Sequence, residues 1–160
     1  MKKNIIQIIF FVLYAALMIF FLYECFQPGD KAGNQAGWVA SIIAKIQGFF
    51  TGKEVIVDDH YRYLVTKLVG HYGIFVLIGL FSIIYHLTLD GFNRFIRILI
   101  HFVIGVGFAF GTEFVAEAVT SGRTASIVDV GIDTLGLITL SVPIIIVYLI
   151  VILRRERKMR

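Results

Sequence analysis

Four long apolar segments, separated by shorter polar stretches, dominate the pattern of the chain. They run from Ile5 to Tyr23, from Leu68 to about Leu89, from about Phe95 to about Val119, and from Asp129 to Leu153. A helix needs about 20 mostly apolar residues to cross the hydrocarbon core of a bilayer. Backbone groups in hydrocarbon must be paired within the protein, and the apolar runs lack the alternation typical of strands. The pattern therefore predicts four membrane-spanning helices.

The polar stretch between the first two spans contains a second helical pattern. Apolar residues recur there at helical spacing, with polar residues opposite, and they are Trp38, Ile42, Ile43, Ile46, Phe49 and Phe50. This spacing predicts an amphipathic helix in the outer loop, lying on the membrane interface with Trp38 at headgroup depth. The alternative is that the same apolar stripe packs on the four-helix bundle.

Basic residues near the ends of the spans predict their orientation. Lys2 and Lys3 precede the first span, Arg94 and Arg97 follow the second, and five of the 15 basic residues lie in 154–160, after the fourth. Cytoplasmic loops carry an excess of lysine and arginine. Both termini are therefore predicted to be cytoplasmic, with 154–160 as a basic tail. The first apolar segment is too long for a signal peptide and lacks a cleavage site, which favours an uncleaved anchor.

The composition agrees with a membrane protein, because 58% of the residues are apolar and 16% are charged. Soluble domains have about 45–50% and about 25%. A disordered chain, a nucleic-acid-binding tail and a disulfide scaffold are excluded, and a soluble enzyme domain is disfavoured. The net charge of +4 reflects basic residues that flank apolar spans, so no nucleic-acid partner is expected. We predict one domain, residues 1–160, with an all-α fold: an integral membrane four-helix bundle.

Ionisable residues on three spans lie at a common depth. His71 and Glu113 are each 19 residues from the inner end of their span, and Asp133 is 20 residues from the end of its own. At a rise of about 1.5 Å per residue, each lies about 28–30 Å from the inner boundary, near the outer edge of the hydrocarbon core. Ionisable groups in a membrane usually face the protein interior or a water-filled cavity. The three are therefore expected to converge.

Helical spacing extends this set to seven residues. Each of the three has a neighbour four residues away on the same helix face, and Arg123 lies in the connection between the third and fourth spans, where its planar group can bind a carboxylate or phosphate. The predicted lining of one outward-opening pocket is Lys67, His71, Glu113, Glu117, Arg123, Asp129 and Asp133. The alternatives are solvation in the headgroup layer, favoured for Lys67 and Asp129 taken alone, and ion pairs that only fix helix register.

Two further sets of residues receive a structural interpretation. His86 and His101 lie nearer the cytoplasmic face and are interpreted as structural or interfacial. Gly107 and Gly111 form a pair of small residues on the third span, with Gly105 nearby. Because small residues let helices approach closely in lipid, the third span is predicted to be central in the bundle.

Two stretches that contain the predicted site resemble the VanZ-like family. Glu113-Phe114-Val115-Ala116-Glu117, Gly122-Arg123 and Asp129-Val130-Gly131-Ile132-Asp133-Thr134-Leu135-Gly136 are similar to its pattern of an acidic residue, a glutamine, Gly-Arg and Asp-x-x-x-Asn/Asp-Thr-x-Gly. Lys67-Leu68-Val69-Gly70-His71-Tyr72 resembles its earlier Gly-His-aromatic segment. An ungapped alignment places Glu117 at the glutamine and Phe114 at the acidic residue. A one-residue insertion instead aligns Glu113 and leaves Ala116 at the glutamine. Ile74 stands where the family often has a glutamate.

The resemblance implies a small protein of the bacterial cytoplasmic membrane and cell envelope, in a family with members associated with teicoplanin resistance. Our leading hypothesis is a non-enzymatic protein, without metal or cofactor, whose pocket binds lipid headgroups, a lipoglycopeptide antibiotic or a lipid-linked cell-wall precursor. Lys67, His71 and Arg123 would donate hydrogen bonds, while Glu113 and Asp133 hold them in place. No catalytic residue is predicted.

Two alternatives belong to other functional classes. In the first, the chain is an enzyme acting on a lipid-linked phosphate, in which the four carboxylates of the set hold Mg²⁺ and His71 is the acid or base. In the second, it is a lipid flippase. Four spans are few for a transporter, so a flippase would have to be an oligomer.

Overall fold

The computed structural model describes residues 2–91, 93–120, 122 and 124–159, and within them all regular secondary structure is helical. The helices are α1 (Lys2–Cys25), α2 (Gly29–Thr51), α3 (Asp59–Val65), a π-helical segment (Thr66–Gly73), α4 (Ile74–Thr88), α5 (Arg94–Val119) and α6 (Ile127–Lys158). The segment α3, the π-helical segment and α4 follow one another without interruption, so they form one long helix.

Four helices in the described residues are long and apolar enough to cross a membrane: Asn4–Cys25, Asp59–Thr88, Arg94–Val119 and Ile127–Lys158. The prediction of an all-α protein with four such helices is confirmed. The long helix Asp59–Thr88 begins before the apolar segment that starts at Leu68. Its start is fixed by Asp58, whose side chain caps the helix by accepting a hydrogen bond from the Tyr61 amide at 2.7 Å.

The basic tail predicted at residues 154–160 is helical as far as Lys158. Its helical conformation is supported by a contact with α5, in which Arg94 Nη2 donates to Glu156 Oε1 at 2.6 Å. Arginine, lysine and glutamate also favour helix. Helix α6 thus continues beyond Leu153 into the basic residues of this tail.

Glycines of α4 and α6 bring these two helices into their closest contact. A Cβ atom on Gly79 would overlap the carbonyl oxygen of Leu137, and one on Gly136 would lie 2.5 Å from the carbonyl oxygen of Tyr72. Gly105 of α5 makes room for the Leu137 side chain in a similar way. Three helices therefore pack around Leu137, which is completely buried.

The glycine pair predicted to make a close helix contact does not do so. A Cβ atom on Gly107 or Gly111 would meet no atom within 4 Å among the described residues. On α5 it is Gly105 that faces the neighbouring helix, and the closest backbone approach lies between α4 and α6. The contact expected at Gly107 and Gly111 is therefore absent among the described residues, and of the three glycines only Gly105 faces a neighbouring helix. A spacing of four residues identifies a helix face without identifying which face is packed.

A buried histidine of α5 connects three helices by contacting serines of α4 and α6. His101 is 1% exposed; its Nδ1 lies 2.8 Å from Ser82 Oγ on α4, and its Nε2 lies 3.0 Å from Ser141 Oγ on α6. His86 Nδ1 donates to the Ser82 carbonyl oxygen at 2.8 Å. Polar contacts of this kind hold helices together in lipid. Both histidines are in the packed interior and not at an interface.

The segment α2 lies against α3 and leaves most of its apolar side chains uncovered. Tyr61 of α3 donates its hydroxyl hydrogen to Gln47 Oε1 at 3.0 Å, and Ala40 and Ala44 are buried. The exposed apolar residues of the predicted stripe are Trp38, Ile42, Ile46, Phe49 and Phe50. Among the described residues, these five side chains of the stripe are therefore not covered by another helix, and Ile43 is partly buried.

Candidate functional site

Ionisable side chains from three of the long helices meet at one end of the bundle, beside the connection between α5 and α6. Five of them make direct contacts or lie within 4.0 Å of one another, and we call them the polar cluster: Lys67, His71, Glu113, Asp129 and Asp133. All five belong to the seven residues predicted from the sequence to line one site. The structure therefore brings these five together.

Two contacts connect the π-helical segment to the first two turns of α6. The ammonium group of Lys67 donates a hydrogen bond to Asp129 Oδ1, and His71 Nδ1 lies 3.1 Å from Asp133 Oδ1. Each pair of partners is separated by 62 positions in the chain. From the first contact to the second, both helices advance by four residues, or about one turn. The π-helical segment and α6 therefore run parallel to each other here.

Glu113 connects α5 to the beginning of α6. Its Oε2 accepts a hydrogen bond from the Ser126 amide at 3.2 Å, and its Oε1 lies 4.0 Å from His71 Nδ1. Ser126 is the N-cap of α6, and its hydroxyl accepts a hydrogen bond from the Asp129 amide at 3.2 Å. The carboxylates of Glu113 and Asp129 thus lie at a helix N-terminus, where the backbone dipoles favour negative charge.

The cluster is buried on its acidic side and partly open on its basic side. The Asp133 side chain is 0% exposed and that of Glu113 is 8% exposed, whereas those of Lys67 and His71 are 18% and 15% exposed. Asp133 Oδ2 has no hydrogen-bond partner among the described residues. A ligand that approached the cluster would therefore meet Lys67 and His71 before it met Asp133.

Aromatic rings surround the cluster on the side of the bundle interior. The Phe21 ring of α1 meets the His71 ring edge-on at a centroid distance of 5.7 Å, and it also contacts the rings of Phe75 and Phe108. On the other side, Lys67 Nζ lies 5.2 Å from the centroid of the Tyr63 ring. The rings of Phe21, Phe75 and Phe108 thus form an apolar layer beside His71.

Both basic residues of the cluster lie in the π-helical segment. Such segments are rare, and they are frequent at functional sites. Here the segment carries Lys67 and His71, and the pattern of apolar residues gave no indication of a π-helix at this position. Its only local signal is a pair of weak helix formers, Gly70 and Gly73, on either side of His71.

Two of the seven predicted residues are not part of the cluster as described. Glu117 is exposed and, among the described residues, makes no hydrogen bond or ion pair with the five residues of the polar cluster. It lies in the last turn of α5, one turn beyond Glu113, which already contacts the N-cap of α6; Glu117 therefore lies past the beginning of the neighbouring helix. Arg123 lies outside the described residues, so its role stays a prediction.

The alternative in which Lys67 and Asp129 are separately solvated does not describe this structure, because the two form an ion pair. The cluster combines three carboxylates with one lysine and one histidine. This composition provides hydrogen-bond donors on its open side and an excess of acidic groups on its buried side. It is suited to binding a polar group or a cation, and its five residues include no serine, threonine or cysteine.

Comparisons of this chain with family models, curated proteins and solved structures give no match. The resemblance to the VanZ-like family therefore depends on the quoted residues alone. All five residues of the polar cluster, Lys67, His71, Glu113, Asp129 and Asp133, are among those quoted residues.

Proposed function

We propose that this chain is a VanZ-like protein of the bacterial cytoplasmic membrane, with both termini in the cytoplasm, and that its polar cluster binds the headgroup of a lipid or a lipoglycopeptide at the outer leaflet. The observation that carries this proposal is the meeting of five ionisable side chains from three spans at one end of the bundle. Ionisable groups within membrane spans usually mark a ligand or ion site.

The hydrogen-bonding capacity of the cluster supports a headgroup as its ligand. An ammonium group has three donors, and the described contacts of Lys67 include one hydrogen bond, to Asp129. Lys67 is also among the more exposed members of the cluster. Its remaining donors are therefore available to a phosphate or carboxylate oxygen, while Asp129 fixes the position of the ammonium group.

The position of α2 supports a membrane surface at the cluster end. A Cβ atom on Gly29, the first residue of α2, would lie 2.9 Å from the carbonyl oxygen of Gly122 in the connection between α5 and α6. The N-terminus of α2 therefore lies at the same end of the bundle as the polar cluster. With its exposed apolar side chains, α2 is proposed as an amphipathic helix on the outer membrane interface.

One observation favours a second candidate function. A ligand atom from each of His71, Glu113 and Asp129 lies within 4.8 Å of the other two, a grouping that can hold a metal ion. A metal ion can orient a phosphate group and polarise its oxygens. A metal-dependent enzyme acting on a lipid-linked phosphate is therefore the alternative.

Lipid binding by variants of Lys67 tests the proposed function. We expect Lys67→Met to weaken the binding of phosphatidylglycerol about 10–100-fold, since a hydrogen bond to a charged group contributes about 1.5–3 kcal/mol. Lys67→Arg should retain most of the binding. Native mass spectrometry of the protein released from nanodiscs measures the bound lipid, and Lys53→Met, an exposed lysine outside the cluster, is the matched control.

Three outcomes distinguish the candidate functions. Equal lipid binding by Lys67→Met and Lys53→Met would contradict the headgroup proposal. Teicoplanin offered in the same assay distinguishes a lipoglycopeptide ligand from a lipid. Release of phosphate from undecaprenyl diphosphate by the wild-type protein, lost in Glu113→Gln, would establish the enzyme instead.

A further inference from the structure

Three side chains of the polar cluster form a set of possible metal ligands. His71, Glu113 and Asp129 come from three different helices, and each offers one ligand atom within 4.8 Å of the other two. Typical metal–ligand distances in proteins are about 2.0–2.2 Å for zinc, so two ligands on one ion lie up to about 4 Å apart. To share one ion, these three atoms would have to lie somewhat closer together than they do here.

The contact between His71 and Asp133 resembles the support that metal-binding histidines receive. His71 Nδ1 lies 3.1 Å from Asp133 Oδ1, so the carboxylate accepts the hydrogen bond from the imidazole. The same Nδ1 lies 4.0 Å from Glu113 Oε1. When Nδ1 donates to Asp133, the neutral imidazole has its lone pair on Nε2, so Nε2 is the nitrogen that would bind a metal ion. Ligating histidines usually donate their second nitrogen to a carboxylate, which fixes the orientation of the ring. Asp133 would thus be a positioning residue for His71.

A second observation comes from the unsatisfied oxygen in the cluster. Asp133 is 0% exposed, and its Oδ2 has no hydrogen-bond partner among the described residues. Buried polar atoms are nearly always paired, so each unpaired one calls for an explanation. A cation held beside the imidazole places positive charge near this carboxylate and offsets its burial.

The charge of the cluster points in the same direction. Three carboxylates face one lysine, and the histidine carries charge only when it is protonated. An excess of buried negative charge in an apolar surrounding is unfavourable unless it is paired or coordinates a metal. The same excess would repel an anionic headgroup, and a divalent ion removes that repulsion.

The geometry points to a divalent metal site formed by His71, Glu113 and Asp129, with Asp133 positioning the imidazole, through which the cluster binds an anionic phosphate headgroup. The second half of this inference rests on the proposed function; the metal site itself does not. One imidazole and two carboxylates suit zinc or manganese better than calcium, since calcium takes oxygen ligands.

Zinc binding by the purified protein tests the site. After removal of metal with a chelator and addition of Zn²⁺ alone, we expect one tightly bound zinc per chain by elemental analysis and calorimetry. His71→Ala should abolish stoichiometric binding, and Asp133→Asn should weaken the affinity about 10–100-fold. The matched controls are His60→Ala and Glu117→Gln, which change an exposed histidine and the exposed glutamate one turn from Glu113.

Cobalt provides a readout that needs no variant. Wild-type protein loaded with Co²⁺ should show the visible absorption bands of an ion bound by nitrogen and oxygen ligands, and Zn²⁺ should remove them by displacement. Absence of bound zinc in the wild type, or equal zinc binding by His71→Ala and His60→Ala, would overturn the metal site.

Lipid binding measured with and without zinc separates the two proposals. If the protein binds zinc but phosphatidylglycerol binding does not respond to zinc or to Lys67→Met, the metal site stands and the headgroup function fails. If phosphatidylglycerol binding depends on Lys67 but the protein takes up no zinc, the headgroup function stands and the metal inference fails. Zinc-dependent lipid binding that is lost in His71→Ala supports both.

Discussion

Gly136 determines how closely α6 approaches the helix that carries Lys67 and His71. Gly136 lies one turn below Asp133, and a Cβ atom there would lie 2.5 Å from the carbonyl oxygen of Tyr72, the neighbour of His71. The close backbone approach therefore occurs directly beside the contact between His71 and Asp133. A side chain at position 136 would separate the two helices and lengthen that contact.

We predict that Gly136→Ala lowers the free energy of unfolding by about 1–3 kcal/mol, the usual effect of overpacking. Gly107→Ala is the control, since a Cβ atom there meets no atom within 4 Å among the described residues. Alanine is otherwise the better helix former by about 0.5–1 kcal/mol. Thermal unfolding in detergent, followed by circular dichroism, gives both values. A Gly136→Ala protein as stable as Gly107→Ala would contradict the close approach.

At the residue scale, the sequence predicted which ionisable groups converge, because depth along a helix follows from counting. His71, Glu113 and Asp133 share one level for that reason. Ser82 and Ser141, the partners of His101, were not predicted. Serine occurs in many helices without an interhelical partner, and its hydroxyl usually bonds to its own backbone, so its presence in a span gives no signal of a contact.

At the scale of elements, α2 is the part of the fold whose role depends most on the membrane. The one tryptophan of the sequence, Trp38, lies on this helix and is 69% exposed. Indole rings prefer the boundary between headgroups and acyl chains. A helix that lies on the outer interface would therefore place Trp38 at that boundary.

The fluorescence of Trp38 tests the placement of α2. In vesicles with brominated lipids, we predict stronger quenching by bromine near the headgroup than by bromine near the end of the acyl chain. Trp38→Phe should remove the signal and serves as the blank. Emission typical of water, with no quenching by either lipid, would show that α2 does not lie on the membrane.

The i,i+4 rule predicted helix faces better than it predicted contacts. It placed Lys67 with His71, and Asp129 with Asp133, and both pairs enter the cluster. It also placed Glu117 with Glu113, yet Glu117 is exposed because α6 begins at the level of Glu113. The residue at which α6 begins depends on the connection between α5 and α6, and the spacing of residues on α5 alone does not reveal it.

At the scale of the whole molecule, the two ends of the bundle differ in their charged residues. One end contains the polar cluster and the N-terminus of α2. The other contains Arg97, which donates to the Leu87 carbonyl oxygen at 3.0 Å, and the basic end of α6. An excess of basic residues is typical of the cytoplasmic side. The cluster is therefore proposed to face the outer leaflet.

The four long apolar helices were predictable, because a run of about 20 mostly apolar residues is the length that a membrane-crossing helix needs. The order of packing was not, since lipid-facing and helix-facing apolar side chains look alike in a sequence. Phe21 is 3% exposed and Phe20 is 50% exposed, although they are adjacent and identical in type. Which side of α1 contacts the bundle is decided by its partners.

The central claim is that the polar cluster is one headgroup-binding site at the outer membrane surface. A crystal structure from a lipidic phase containing bacterial phospholipids tests it most directly. We predict that Lys67, His71, Glu113, Asp129 and Asp133 remain together, with headgroup density in contact with Lys67, on the membrane side opposite the basic end of α6. Side chains pointing separately at solvent or acyl chains, or a cluster without headgroup density at that position, would contradict the account.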